Sequence, residues 1–354
     1  QQLEDHYFGA IPSRVSSFMK DFESEAYKLG ILLQTRHNEV APNQFECAPV
    51  FCEATKAIDQ NMMLMIIMQK VAEKHHLKAI FHEKPFDGVN GSGKHCNWSI
   101  MTDTGVNLLS PGSTPTKNLR FLSFYASVVR AVHRHHFLLM ASVASLNNSY
   151  RLGGGEAPPA VMSIFSGSTL YGVFQSILNM DNLKETEANS LESIKIVESL
   201  PEIFPDNTDR NRTSPFAFTG NRFEFRAVGS SQNVASAVFV LNSIVAESLN
   251  EFHEAVSELE AAGESRSSAV MAVVRRFFAE AKDIMFEGNG YSREWEKEAE
   301  KRGLRAIRNV PEAYEVYHEE ATVKLFGNIG VLAKNELDAR FEILNETYVK
   351  KLQI

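Results

Sequence analysis

The stretch NRFEFRAV, residues Asn221–Val228, alternates charged and apolar side chains. Successive side chains of a β-strand point to opposite faces, so its two phenylalanines can pack together beneath a sheet. The opposite face carries three charged residues, Arg222, Glu224 and Arg226. Arginine binds phosphate and carboxylate groups through its planar fork of donors. The pattern predicts a strand that forms the floor of an anion-binding site with Glu224 as a metal ligand. The alternative is a solvated edge strand.

Segments with strand-like patterns lie before residue 233, and helical patterns dominate after it. Three helices are predicted in the first part, over Arg14–Leu29, Ala54–Lys74 and Asn118–Leu146. Glu185–Asp209 is predicted to be a long surface loop or an inserted element, and Leu77–His82 a strand. The order favours an α+β fold with a sheet-containing active-site part, residues 1–233, and a helical part, residues 234–354.

Composition excludes several classes of protein. The 354 residues include 36 basic and 44 acidic side chains, which gives a net charge of −8. This charge argues against a protein whose main function is to bind nucleic acid. No apolar run reaches the roughly 18–20 residues of a membrane span. The three cysteines form no CxxC pair, which is typical of free thiols in a reducing compartment. We expect a cytoplasmic protein that binds neither nucleic acid nor membrane.

The stretch NEVAPNQFE contains two carboxylates, Glu39 and Glu46. Proline followed by asparagine suits the centre of a type I turn, which predicts a hairpin folded about residues 41–44. In that hairpin Glu39 would face Glu46 directly, and a cation between them would turn repulsion into binding. Two exposed glutamates splayed into water are an equally good interpretation of this segment alone.

The run GVNGSGKH, residues 88–95, nearly matches the phosphate-binding loop of P-loop NTPases. It fails at the last position, where His95 replaces the serine or threonine that binds Mg²⁺, so a P-loop fold is rejected. Its glycines still allow close approach of a ligand to the backbone. Asn90 can hydrogen-bond an amino acid, and His95 is a candidate metal or anion ligand.

A flexible glycine run after Arg151 ends at Glu156, before two prolines. A glycine hinge that carries one acid can close over a site and place a proton acceptor there. An ordinary surface turn is the alternative. Arg212 lies shortly before the charged strand and alone indicates little.

Together these segments resemble glutamine synthetase, and most closely its long-chain type III class. The motifs that carry the resemblance follow in order along the chain: NEVAPNQFE at 38–46, VNGSGKHCNWS at 89–99, NSYRLGGGEAP at 148–158, NRTSP at 211–215 and NRFEFR at 221–226. The resemblance extends to the helical end and covers essentially the whole chain. It implies the catalytic-domain fold of that family, a curved antiparallel sheet flanked by helices with a helical C-terminal section.

The resemblance implies ATP-dependent ligation of ammonia to the side-chain carboxylate of L-glutamate through γ-glutamyl phosphate, with Mg²⁺ or Mn²⁺ as the metal. The implied metal ligands are Glu39 and Glu46 for the first ion, and His95 and Glu224 for the second. The implied glutamate-binding residues are Asn90, Gly91, Arg151 and Arg226. The implied ATP-binding residues are Asn97, Ser99 and Arg212. The implied catalytic residues are Glu156, Arg212 and Arg226.

The sequence departs from the family pattern at several places. Ala217 stands where the better-known bacterial class has a further ATP-phosphate arginine, and Lys94 replaces an apolar residue of that class and is predicted to compensate. The family also carries two metal carboxylates on an earlier strand, and no such strand precedes Glu39. The small N-terminal domain, which supplies the acid that deprotonates ammonium, has no counterpart either. We therefore expect residues 1–354 to be an incomplete catalytic domain that makes no glutamine alone.

Two other functions agree with the sequence. One is a γ-glutamyl–amine ligase of the same superfamily, distinguished by its ammonium pocket. The other is a catalytically silent structural relative, which loss of His95, Glu224 or an active-site arginine would favour, and none is lost. The resemblance further implies self-association into a ring of twelve subunits.

Overall fold

The computed structural model describes residues 6–153, 157–179 and 214–353. Before residue 100 the elements are α1 (Ser13–Lys28), β1 (Leu33–Asn38), β2 (Phe45–Pro49), α2 (Ala54–Lys74) and β3 (Gly93–Trp98). The middle elements are α3 (Leu119–Arg134), α4 (His136–Ala141), α5 (Leu146–Ser149), β4 (Ile164–Phe165), α6 (Ser168–Asn179), β5 (Phe216–Phe218) and β6 (Phe223–Gly229). The last elements are α7 (Ala235–Ala261), α8 (Arg266–Ala281), α9 (Arg293–Lys301), α10 (Val310–Tyr314), α11 (Glu320–Asn328) and α12 (Lys334–Leu352).

The chain divides into two compact units. Unit 1 comprises residues 1–94 and 228–238, and unit 2 comprises residues 95–227 and 239–354. This division differs from the one drawn from the sequence, which separates a sheet-containing part, residues 1–233, from a helical part, residues 234–354. The reason is that 228–238 makes its contacts with the N-terminal residues, although the strands end at Gly229 and helices follow from Ala235.

Unit 1 is built on two amphipathic helices and a hairpin. Helix α1 buries Phe22 and Ala26, and α2 buries Leu64, Ile67 and Val71, at the spacing of one helical face. These side chains form one apolar cluster. Helix α1 ends as the sequence predicts, because Gly30 adopts a φ of +73° just after it and its N–H donates to the Tyr27 carbonyl.

Unit 2 contains a four-stranded sheet of order β3-β6-β5-β4, with residues 93–94 and 228–229 at its end assigned to unit 1. Strand β6 lies between β3 and β5, and all its residues are buried. Phe223 stacks on Phe216 with ring centroids 4.7 Å apart and on Tyr125 of α3 at 5.6 Å. The aromatic face therefore packs beneath the sheet as predicted, and the solvated edge strand is excluded.

The α+β fold class and the helical C-terminal section are confirmed. The sheet differs from a purely antiparallel one, because β5 pairs with β6 antiparallel but with the two-residue β4 in parallel. The predicted helix over Asn118–Leu146 is interrupted at His135, where ψ is +28°, and Leu77–His82 forms no strand. The predicted loop Glu185–Asp209 lies outside the described residues. Among the described helices, none is both long and apolar enough to cross a membrane.

Candidate active site

The hairpin that carries Glu39 and Glu46 has a different register from the one predicted. The Gln44 N–H donates to the Ala41 carbonyl at 3.1 Å, and Asn43 has a φ of +55°, as in a type II turn. The Glu39 N–H donates to the Gln44 carbonyl at 2.9 Å, so the loop takes up four residues, 40–43. The expectation that Glu39 directly faces Glu46 was therefore wrong.

The residue opposite Glu46 is His37. Because alternate residues of a strand share a face, His37 and Glu39 lie on the same side, and Glu39 reaches Glu46 along the diagonal. His37 Nδ1 lies 3.6 Å from Glu39 Oε1, and His37 Nε2 lies 3.6 Å from Glu46 Oε1. One ligand atom from each of the three residues falls within 4.8 Å of the others.

The donor set of these three residues fits a divalent cation. His37 Nδ1 also lies 2.9 Å from the Asn38 carbonyl, which can only accept, so a proton on Nδ1 leaves the Nε2 lone pair for a metal. Two carboxylates and one imidazole suit Mg²⁺ or Mn²⁺. All three side chains are partly exposed, so an ion can reach them from solvent. A signal in the sequence could have identified His37, since it stands two residues before Glu39 on a predicted strand.

A second imidazole–carboxylate pair lies in unit 2. His95 on β3 and Glu224 on the neighbouring strand β6 approach to 3.5 Å between Nδ1 and Oε1. Glu224 is almost completely buried, whereas His95 belongs to the more exposed face of its strand. The Arg226 guanidinium is also buried, with Nε 3.6 Å from Glu224 Oε2. The charged face of NRFEFRAV thus forms a buried ionic group that opens toward His95.

Arg151 belongs to the same group. Its Nη2 donates to the Arg226 carbonyl at 3.1 Å, and its Nη1 donates to Asn148 Oδ1 at 3.3 Å. Asn148 is itself fully buried and donates to the Ala227 carbonyl at 2.9 Å. Buried hydrogen bonds of this kind fix the orientation of a guanidinium. The structure therefore brings Arg151, Arg226 and Glu224 together.

The two residues predicted to contact nucleotide lie after His95 on the same stretch of chain. Asn97 Oδ1 accepts from Arg222 Nε at 3.1 Å. Ser99 Oγ donates to Asn107 Oδ1 at 2.8 Å and lies 3.2 Å from the Asn221 carbonyl. These polar groups are exposed, so a ligand could compete for their hydrogen bonds. Arg222, from the charged face of NRFEFRAV, belongs to this group, and so does Asn107, which no motif includes.

The glycine loop holds Asn90 and Gly91 in unit 1, where the Gln44 amide nitrogen donates to the Gly91 carbonyl at 3.0 Å. The Lys94 ammonium donates to the Gln232 carbonyl and lies 3.2 Å from Met65 Sδ. Burial lowers the pKa of Lys94 to about 8, and the charge of Glu83 partly opposes that shift. A contact between Lys94 and ATP stays a prediction.

Three further positions complete the predicted set. Ala217 is completely buried on β5 opposite Glu224, so a long charged side chain would have no space there. Glu156 and Arg212 lie outside the described residues, and their predicted roles stay predictions.

Known proteins resemble this chain in sequence and fold. A model of the glutamine synthetase catalytic domain matches residues 1–165, and one of the glutamine synthetase C-terminal domain matches residues 269–354. A glutamine synthetase of Bacteroides fragilis is 48% identical over 355 residues, covering 100% of this chain and 49% of that protein. The type-3 glutamine synthetase of Dictyostelium discoideum is 47% identical over 354 residues, covering 100% and 48%.

The solved structure described as apo GmaS without ligand superposes with a TM-score of 0.56 at 17% identity, over 97% of this chain and 61% of that one, which supports the fold. The chain spans about half the length of the curated relatives it matches.

Proposed function

Because the chain belongs to the glutamine synthetase family, we propose that the protein containing it is a glutamate–ammonia ligase. The reaction would consume ATP, L-glutamate and ammonia and would release glutamine, ADP and phosphate. The relatives that match along the full chain are named glutamine synthetases, which supports this activity over others of the superfamily.

The observation that carries the proposal is the convergence of His37, Glu39 and Glu46 within 4.8 Å. Two carboxylates at this separation repel each other unless a cation lies between them. His95 and Glu224 would bind a second ion beside two guanidiniums. When bound, divalent ions would neutralise phosphate charge during transfer of the phosphoryl group.

The chain's own residues would bind and orient the amino acid. Arg151 is assigned to the α-carboxylate of glutamate, a group that a guanidinium binds through two parallel hydrogen bonds. Asn90 and Gly91 are assigned polar contacts with the same amino acid, as the resemblance to the family implies. Arg226 would bind the side-chain carboxylate and would hold it for reaction without further reorganisation, since the protein already fixes its guanidinium.

In the first step a side-chain carboxylate oxygen of glutamate attacks the γ-phosphorus of ATP, and the bond to the bridging oxygen of ADP breaks. In the second step the ammonia nitrogen attacks the carbonyl carbon, and the bond to the phosphate oxygen breaks. The nitrogen then gives up a proton, for which Glu156 is the proposed acceptor. Arg212 and Arg226 would stabilise the charge on the transferring phosphoryl group.

Mixing the whole protein with glutamate, ammonium and Mg-ATP tests the proposal, with glutamine and ADP measured together. We expect one ADP for each glutamine, and Glu224→Gln should lower kcat by at least about 100-fold because it removes a carboxylate from the metal set. Glu346→Gln is the matched control, since Glu346 is exposed on α12. Methylamine in place of ammonium distinguishes a γ-glutamyl–amine ligase, which would favour the amine. Absence of both products would support a silent relative and refute the proposal.

We also propose that the protein acts in the cytoplasm as a ring-shaped homo-oligomer of twelve subunits, as the resemblance to the family implies. Size-exclusion chromatography with light scattering measures the mass of the assembly. A monomer at micromolar concentration would contradict the ring.

A further inference from the structure

Glu83 is a fully buried carboxylate that none of the family motifs includes. Its Oε1 accepts from the Ser231 N–H at 3.1 Å and from Ser231 Oγ at 2.7 Å. Its backbone carbonyl accepts from the Ser92 N–H at 2.8 Å. Ser92 and Ser231 both lie in unit 1 with Glu83. Glu83 therefore connects the glycine loop to the turn at residues 229–232.

Lys94 makes the corresponding connection at the end of the loop. Its ammonium donates to the carbonyl of Gln232, in the same turn that binds Glu83. The Gln232 side chain closes that turn, because its Oε1 accepts from the Gly229 N–H at 2.7 Å. The two charged side chains thus anchor residues 83 and 94 onto four consecutive residues of unit 1.

Gly229 shows that the turn is shaped for the carboxylate. A Cβ at this position would lie 2.3 Å from Glu83 Oε1 and 2.9 Å from Glu83 Cγ, so one of the groups would have to shift. A carboxylate buried at this depth is costly unless it is hydrogen-bonded. Two apolar side chains in place of Glu83 and Lys94 would pack in unit 1 at a lower desolvation cost. We infer that these charged groups fix the shape of the loop more than they add stability.

Other hydrogen bonds also hold the loop between these anchors. The Lys84 ammonium donates to the Val89 carbonyl, and the Gln44 amide donates to the Gly91 carbonyl. Neither reaches residues 92–94, where the Ser92 N–H donates to the Glu83 carbonyl, Lys94 donates to the Gln232 carbonyl, and β3 begins beside β6. Loss of either anchor should therefore loosen the segment that carries Asn90 and Gly91.

We propose that Glu83 and Lys94 are positioning residues that hold the loop of residues 84–93 in the shape that binds the amino-acid substrate. The inference rests on the proposed function, in which Asn90 and Gly91 contact glutamate. It assigns Lys94 to the loop and not to ATP. Both residues act through the loop and touch no reacting atom.

The test compares Glu83→Gln and Lys94→Met with the whole wild-type protein, and uses Glu73→Gln and Lys70→Met as matched controls. Both control side chains are exposed on α2 of the same unit. Hydrogen exchange of the Ser92 amide reports whether the anchor holds, because that N–H donates to the main-chain carbonyl of Glu83, whose side chain is bound to Ser231. We expect exchange at least about tenfold faster in both loop variants and unchanged in both controls.

Function gives the second readout. The KM for glutamate, and its dissociation constant by calorimetry, should rise about tenfold, whereas kcat and the KM for ATP stay within about twofold. Lys94→Arg should restore most of the glutamate affinity, because arginine retains the charge and a donor for the Gln232 carbonyl. Unchanged Ser92 exchange, or faster exchange with unchanged glutamate affinity, would overturn the inference. A rise in the KM for ATP alone in Lys94→Met would also overturn it and would support an ATP contact.

The same measurements separate this inference from the proposed function. A wild-type protein that binds glutamate but makes no glutamine would refute the ligase activity and leave the positioning role to be decided by exchange and calorimetry. A wild-type protein that does not bind glutamate would refute both.

Discussion

Substitution of Gly229 by alanine is the sharpest test of the buried turn in unit 1. The added methyl would lie 2.3 Å from Glu83 Oε1 and 2.9 Å from Gln232 Oε1. Both atoms are hydrogen-bonded acceptors, Glu83 from Ser231 and Gln232 from the Gly229 N–H itself. The Glu83 side chain cannot rotate into solvent because it is fully buried. The methyl must therefore displace the carboxylate from its partners.

The size of the effect follows from those bonds. Each hydrogen bond to a charged group contributes about 1.5–3 kcal/mol, so loss of the two from Ser231 costs about 3–6 kcal/mol. Alanine also lowers the conformational entropy of the unfolded chain, which stabilises the folded protein by about 0.4–1 kcal/mol and offsets part of the loss. We expect a net loss of about 3–5 kcal/mol, a large share of the roughly 5–15 kcal/mol that stabilises a typical domain.

Thermal unfolding measures this loss, with Gly172→Ala as the control. Gly172 lies inside α6, and apart from its chain neighbours and the backbone of its own helix no described atom lies within 4 Å of the point that a Cβ would occupy. Alanine there should therefore stabilise the helix by about 0.5–1 kcal/mol. We expect Gly229→Ala to unfold roughly 10 °C below wild type. A double variant with Glu83→Ala should recover part of the loss, because the clash partner is gone. A midpoint for Gly229→Ala within about 2 °C of the control would refute the reasoning.

Three other predictions concern the metal ligands, the pH dependence and the core. His37→Ala should weaken Mn²⁺ binding at least about tenfold by calorimetry, and equal affinity would show that His37 is not a ligand. Lys94 has a folded-state pKa of about 8, below its ordinary 10.5, so the unfolded chain holds more protons between those values and stability should rise with pH across that window. Denaturant titrations should show a gain of roughly 1–2 kcal/mol, after discounting for solvent screening, and Lys94→Met should lack it. Phe223→Ala should cost about 3–5 kcal/mol because the ring is fully buried, whereas Phe51→Ala, at a side chain 84% exposed, should change stability by less than about 0.5 kcal/mol; equal losses would contradict the packing.

Local patterns predicted much of the fold because they act within one element. The alternation of NRFEFRAV identified β6 and its aromatic face, and periodic apolar residues identified α1 and α2. The single helix expected over Asn118–Leu146 is interrupted at His135, where the backbone leaves helical values, and it resumes only as the short α4 although the apolar pattern continues. Apolar periodicity alone does not distinguish one buried helix from several short ones.

The register of the hairpin could not be predicted from the local sequence. The turn at residues 41–44 was predicted, but Asn43 adopts a positive φ and the four-residue loop covers 40–43 instead of 41–44, which moves His37 opposite Glu46. A turn residue that tolerates two backbone conformations leaves the register open until the strands pair. The third member of the candidate metal site was therefore missed.

The sequence by itself determined the residue types and the order of the motifs, and these identified the family, the fold class and the carboxylate, imidazole and guanidinium groups of the candidate site. Those properties depend on neighbours a few residues apart. Only the tertiary structure decided which groups meet: His37 with Glu46, His95 with Glu224, and Glu83 with Ser231, the last two pairs far apart along the chain. Such contacts depend on strand register and on close packing around a glycine, which arise only when distant segments come together.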